Sequence, residues 1–144
     1  MTSLDITKTA LKIAARAAKV SLDHFRTSLN IEFKADESPV TRADRATEQA
    51  VRDMIAKNFP DDGIIGEEHG TVAGKNDTLW VIDPIDGTRS FITGNPLFGF
   101  LLARLVGGLS ELSIVALPAL HETYLATRGG GAWLGETRLN TSVQ

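Results

Sequence analysis

Hydrophobic and polar positions follow two different periods along the 144 residues of this chain. Near the start, apolar residues recur at Leu4, Leu11, Ala14, Ala18, Leu22 and Phe25, which predicts a helix over residues 3–27. The alanines at positions 14, 15, 17 and 18 suit close packing on another element. The stretch from Asn30 to Pro39 is polar and irregular, with room for a short hairpin through Ile31 and Phe33. A second helix is expected from Arg42, with Thr41 as its N-cap and Asp44 in the position of a capping box. Its apolar face reads Ala43, Ala46, Ala50, Val51, Met54 and Ile55, and Pro60 with Asp61-Asp62-Gly63 stops it. Beyond Gly63 the pattern changes to short apolar runs between turn residues. Ile64–Glu67, Leu79–Asp83, Phe98–Leu105, Glu111–Ala116, Glu122–Thr127 and Ala132–Leu134 are predicted strands, with turns at Gly107-Gly108 and Pro118–His121. Two helices followed by strands on short connections predict an α+β fold with a largely antiparallel sheet.

Composition narrows the chemistry. Hydrophobic residues make up 42% and charged residues 23%, a globular balance, and the length suits a single domain over residues 1–144. Zero Cys excludes disulfides, zinc fingers, iron–sulfur clusters and thiol nucleophiles. A net charge of −3 argues against broad nucleic-acid binding. No apolar run reaches the ~18 residues of a membrane span, and the first residues lack the pattern of a signal peptide. A cytoplasmic protein with no membrane partner is therefore expected. Its chemistry has to use carboxylates, hydroxyls, amides and His, or a metal held by oxygen.

The densest segment is Trp80-Val-Ile-Asp83-Pro84-Ile85-Asp86-Gly87-Thr88-Arg-Ser-Phe91. A strand running into Asp83 is expected to stop at Pro84. Gly87 permits a turn and close approach of a ligand to the backbone. Asp83 and Asp86, at a strand end, can converge on one point, where a hard divalent cation such as Mg²⁺ is the simplest neutraliser of their repulsion. Gly66-Glu67-Glu68 ends another predicted strand, and Thr41 and Asp44 open a helix. Singly, each of these pieces has a plain structural explanation: turn pairs at 83–84 and 86–87, a solvated acidic pair at 67–68, a helix cap at 41–44. Lys34 and Arg89 read as surface charges, and His24, His69 and His121 lack metal-ligand spacing. Phe91, Phe98, Phe100, Trp80 and Trp133 read as packing residues. The acidic pieces nevertheless occur together and in order around one short block.

These residues resemble the inositol monophosphatase family of Mg²⁺-dependent phosphomonoesterases. Ser38-Pro-Val-Thr-Arg-Ala-Asp44 with Glu48 resembles its early motif, Gly66-Glu67-Glu68 its Gly-Glu-Glu motif, and Trp80 through Thr88 with Phe91 its signature block. Gly129-Gly-Gly-Ala-Trp133 resembles its Gly-rich strand lead-in. The resemblance implies that Glu67, Asp83 and the carbonyl of Ile85 hold a first Mg²⁺, and that Asp83 and Asp86 hold a second, with two or three ions per complete site. It implies that Glu67 and the Thr88 hydroxyl, supported by Asp44, orient and deprotonate a water, and that Asp86 with the N–H groups of Gly87 and Thr88 meets the phosphate. Arg89-Ser90-Phe91 with Gly94-x-Pro96 is closer to the histidinol-phosphatase branch than to the inositol branch. The reading favoured is therefore hydrolysis of L-histidinol phosphate, a small phosphorylated substrate in histidine biosynthesis, over inositol 1-phosphate.

The resemblance covers the first half of the family's layered α/β/α/β/α sandwich. The second-half Trp-Asp motif has no counterpart, since Trp80 precedes Val81 and Trp133 precedes Leu134. On this reading the second metal lacks a carboxylate, and the sheet exposes an apolar face or edge. Self-association into a homo-oligomer, simplest as a dimer, or pairing with a missing C-terminal half is expected. A non-catalytic structural or association module is the competing class. A bisphosphate phosphatase is a remote third, given the short connection between Gly66 and Trp80.

Overall fold

A computed structural model describes residues 1–27, 31–33 and 39–143. Helix α1 runs over Ser3–His24, shorter than predicted. Its start uses a device the hydrophobic pattern did not signal. The Thr2 hydroxyl accepts from the Asp5 N–H at 3.2 Å and the Asp5 carboxylate accepts from the Thr2 N–H at 3.0 Å, a reciprocal capping box. The buried stripe is Ala10, Ile13, Ala14, Ala17, Val20 and Ser21. It is rotated from the predicted one: Leu4, in the first turn, is 62% exposed, while Ala10, Ile13 and Ala17 are fully buried.

The backbones of β1 (Ile31–Phe33) and β2 (Pro39–Thr41) pair antiparallel, the expected hairpin. Lys34 and Ser38 lie outside the described residues, as does the Thr41 side chain with its predicted capping role. Helix α2 spans Arg42–Asn58 and ends before Pro60 as predicted. Its inner face differs from expectation. Ala43, Val51 and Ile55 are buried, but so are Asp44, Thr47, Glu48 and Arg52, while Ala46 and Ala50 are only partly covered.

The remaining strands form one eight-stranded sheet in the order β10-β9-β8-β7-β6-β5-β3-β4. They are β3 Gly63–Gly66, β4 Gly70–Val72, β5 Thr78–Asp86, β6 Gly99–Val106, β7 Leu109–Leu117, β8 Glu122–Thr127, β9 Gly131–Leu134 and β10 Thr137–Leu139. Strands β4 and β10 were not foreseen. Neighbours pair antiparallel except β3 and β5, which run parallel. One face of the sheet packs under α1 and α2 through Ile64, Trp80, Ile82, Phe100, Leu102, Leu112, Ile114 and Ala116. Trp80 and the three Phe residues behave as packing residues: Trp80 is fully buried beside Phe59, and its indole N–H donates to Asp62 at 2.9 Å. Phe91 and Phe98 meet edge to face at 4.8 Å in a second cluster with Ala43 and Ile85, against which Leu22 and Phe25 pack. On the opposite face Val81, Leu101, Ala103 and Val115 line an open apolar cleft, the uncovered face expected from the sequence. Among the described residues no helix is long and apolar enough to cross a membrane.

Candidate active site

The parallel pairing of β3 and β5 builds the site. Gly66 stands opposite Ile82 in the ladder, so Glu67, the residue after β3, and Asp83, the next residue of β5, lie where the parallel ladder ends. Strand β5 does not stop at Pro84, contrary to expectation, but continues to Asp86. The ladder with β6 pairs Asp83 with Leu101 and Asp86 with Gly99, leaving Pro84 and Ile85 opposite the single residue Phe100. This bulge absorbs the proline, whose missing N–H then costs no ladder bond, and bends the strand where Asp83 and Asp86 project. Gly87 follows with φ 80° and ψ 41°, a left-handed conformation suited to glycine, and caps the short helix α3, Thr88–Ile92. That helix replaces the simple turn read from the sequence, and places Phe91 in the core.

The structure brings the predicted carboxylates together. Asp83 is partly buried, and its Oδ1 has no hydrogen-bond partner among the described residues. Burial first, then the carboxylates of Glu67, Asp86 and Asp44, push its pKa up to about 7. Asp44 reaches this field from the first turn of α2, where it is 3% exposed. Glu67 and Asp86 are exposed at the rim. The Thr88 hydroxyl donates to the carbonyl of Ile85 at 3.0 Å, tying together two residues of the predicted site. The histidines stand apart in other contacts: His24 Nδ1 lies 2.9 Å from the Val20 carbonyl, and His69 Nε2 lies 3.2 Å from that of Arg45. Arg89 is exposed, as expected of a surface charge.

This donor set fits a hard divalent cation. A carboxylate oxygen is buried without a partner, and like charges around it raise the cost of ionisation, which a cation would remove. Among the described residues no three acidic or His side chains already stand as a finished metal cluster. Glu67 and Asp86 are the exposed carboxylates that would join Asp83 in holding the cation. Sequence reasoning placed Glu48 in the early motif without giving it a task and did not single out Arg52, although both lie buried beside the loop that carries Glu67. The available signal was weak: a Glu–Arg pair four residues apart on a helix ordinarily marks a solvated face.

A mixed α+β sheet with a carboxylate-lined end defines the class to which the comparisons point. A family model, the inositol monophosphatase family, matches residues 3–144. A histidinol-phosphatase of Chlorobaculum parvum is 46% identical over 135 residues, 93% of this chain and 52% of its own length. The solved structure of a Thermotoga maritima inositol monophosphatase superposes with a TM-score of 0.87 at 36% identity, over 96% of this chain and 54% of that one. A structure of an inositol monophosphatase/NADP phosphatase complexed with Mg²⁺ and phosphate superposes with a TM-score of 0.83 at 25% identity, over 94% and 52%. The chain belongs to the inositol monophosphatase family. It spans about half the length of the relatives it matches.

Proposed function

We propose that residues 1–144 form the metal-binding α+β domain of a Mg²⁺-dependent phosphomonoesterase, with L-histidinol phosphate as substrate. The observation that carries this reading is the placement of Asp83 between Glu67 and Asp86, with its pKa raised to about 7 by burial and by those neighbours. Glu67, Asp83, Asp86 and the carbonyl of Ile85 would hold Mg²⁺. When bound, the cation lowers the pKa of water and neutralises phosphate charge. Glu67 takes the proton of the attacking water, and the Thr88 hydroxyl, supported by Asp44, orients it. The water oxygen forms a new bond to phosphorus while the ester P–O bond opposite breaks, and the leaving alkoxide takes a proton from a solvent water to become the alcohol, Glu67 later releasing its proton to solvent. The backbone N–H groups of Gly87 and Thr88, with Asp86 beside them, meet the phosphate. The choice of histidinol phosphate is supported by Arg89-Ser90-Phe91 and by the 46% identical histidinol-phosphatase. Inositol 1-phosphate is the second reading, supported by the Thermotoga maritima structure.

The test is phosphate release by the purified chain with Mg²⁺, offering both substrates side by side. We expect weak release at most from histidinol phosphate by this chain alone, lost in Asp83→Asn; turnover near that of full-length relatives would overturn the expectation that the second half is needed. Release from inositol 1-phosphate alone reverses the substrate assignment. No release from either, with Mg²⁺ binding intact, points to a half that needs its C-terminal partner, and adding that half should then restore release; failure to restore it favours a non-catalytic association module.

A further inference from the structure

The inner face of α2 carries a charged pair whose hydrogen bonds converge on the loop after Glu67. Glu48 is fully buried, and its Oε1 accepts from Arg52 Nε at 2.8 Å. The same carboxylate accepts from two successive backbone groups of that loop, Oε2 from the Glu68 N–H at 2.7 Å and Oε1 from the His69 N–H at 3.0 Å. Arg52 Nη2 donates to the carbonyl of Gly70. On the strand side, Gly66 lies flush against the pair. A Cβ at that position would stand 2.1 Å from Glu48 Oε1, 2.5 Å from its Cδ and 2.8 Å from Arg52 Nη2. The glycine is therefore required by close approach rather than by its backbone angles. Glu67 sits between a residue pressed on the pair and three residues bonded to it, while its own side chain stays exposed.

We propose that Glu48 and Arg52 are positioning residues: the pair holds the loop after β3 so that Glu67 stands beside Asp83, and thereby sets the divalent-cation affinity of the site. A purely architectural pair would distribute its bonds over the fold. This one directs its non-helical bonds to the three residues that follow Glu67. Only a carboxylate accepts from two adjacent N–H groups and a guanidinium at once, and only a guanidinium spans both Glu48 and the Gly70 carbonyl. Groups that orient a metal ligand without touching the metal commonly change metal affinity by about 10–100-fold when altered.

The inference rests on the metal reading given above, and the experiment separates the two. Mg²⁺ is titrated calorimetrically into the chain, Glu48→Gln, Arg52→Lys, Gly66→Ala and the core variant Ile114→Val. Amide hydrogen exchange is followed in parallel without metal. We expect Glu48→Gln to weaken Mg²⁺ binding by about 10–100-fold and to lose protection selectively at Glu68 and His69. Gly66→Ala should act like Glu48→Gln, Arg52→Lys should fall between it and the unaltered chain, and Ile114→Val should leave affinity within about twofold. Unchanged affinity, or unchanged protection at Glu68 and His69 in Glu48→Gln, overturns the proposal alone. Affinity that simply follows thermal stability across all variants also overturns it. Absence of Mg²⁺ binding by the unaltered chain overturns the metal reading and this proposal together. Should Glu48→Gln not fold, Gly66→Ala and Arg52→Lys decide on the same two measurements.

Discussion

Helices α1 and α2 lie on the same sheet, yet they bury opposite kinds of surface. Helix α1 turns Ala10, Ile13, Ala14, Ala17 and Val20 inward. Its contribution is apolar area and close approach, which any well-shaped hydrophobic set could supply. Helix α2 buries Asp44, Thr47, Glu48 and Arg52 together with Ala43, Val51 and Ile55. Burying such groups is costly unless they find partners; Glu48 and Arg52 find theirs in and around the loop that carries Glu67, while Thr47 Oγ1 has no hydrogen-bond partner among the described residues. The difference assigns the helices separate tasks. One stabilises the layer, and the other spends stability on the placement of chemical groups.

The comparison predicts a ranked series of effects. The largest is Arg52→Met, which leaves the buried Glu48 carboxylate without its counter-charge. It should cost about 3–5 kcal/mol in denaturant unfolding and disturb the site. Ile13→Ala on α1 should cost about 2–5 kcal/mol through a cavity, with Mg²⁺ affinity unchanged. If Ile13→Ala weakened Mg²⁺ binding as much as Arg52→Met did, the division between the helices would fail.

The site itself should respond to metal and to pH in opposite directions. Mg²⁺ at about 100 times its dissociation constant should stabilise the chain by about 2.7 kcal/mol, and Asp83→Asn should remove that gain. Without metal the sign follows from the raised pKa of Asp83, about 7 in the folded chain against 3.8 for an ordinary Asp. Between these values the folded state binds more protons than the unfolded state, so this group's contribution to stability falls as pH rises from about 4 to about 7 and is level above that. The difference in stability between the chain and Asp83→Asn, measured across that range without metal, should follow this curve. Mg²⁺ affinity should rise over the same interval as the competing proton is lost. A pH-independent difference would mean that Asp83 is ionised throughout. The smallest effect is Thr2→Ala, which removes the capping box of α1. It should cost about 1 kcal/mol by thermal unfolding and leave Mg²⁺ binding untouched.

Much of this was legible in the residues. Alternating apolar runs between glycines and prolines predicted most of the sheet, and Pro60 with Gly63 marked the end of α2. The ordered carboxylates at 44, 67, 83 and 86 marked the candidate site, and the fold places their charges around Asp83. Other features were not legible for definite reasons. Periodicity reports which residues share a face but not which strands pair, so the largely antiparallel sheet was readable but the one parallel pair within it, β3 and β5, was not. Pro84 reads as a strand stop unless a bulge accommodates it, and a bulge is visible only in the ladder. Leu4 outranks Ala10 on any hydrophobicity scale, yet Ala10 is buried and Leu4 exposed, because the rotation of α1 on the layer beneath it, not hydrophobicity alone, selects the inner stripe. Glu48 and Arg52 carry no local sign of burial.

The amino-acid sequence by itself determined the element types, the helix and strand punctuation and the chemical inventory of the site, because propensity, turn chemistry and side-chain type are local properties. Only the tertiary structure decided that Glu67 and Asp83 follow the last pair of the parallel β3–β5 ladder, and that Asp83 is pushed toward protonation there. It also decided that Glu48 and Arg52 face inward to hold the loop. Those outcomes depend on pairing, burial and electric fields from residues distant in the chain, and such quantities exist only once the layers have closed on one another.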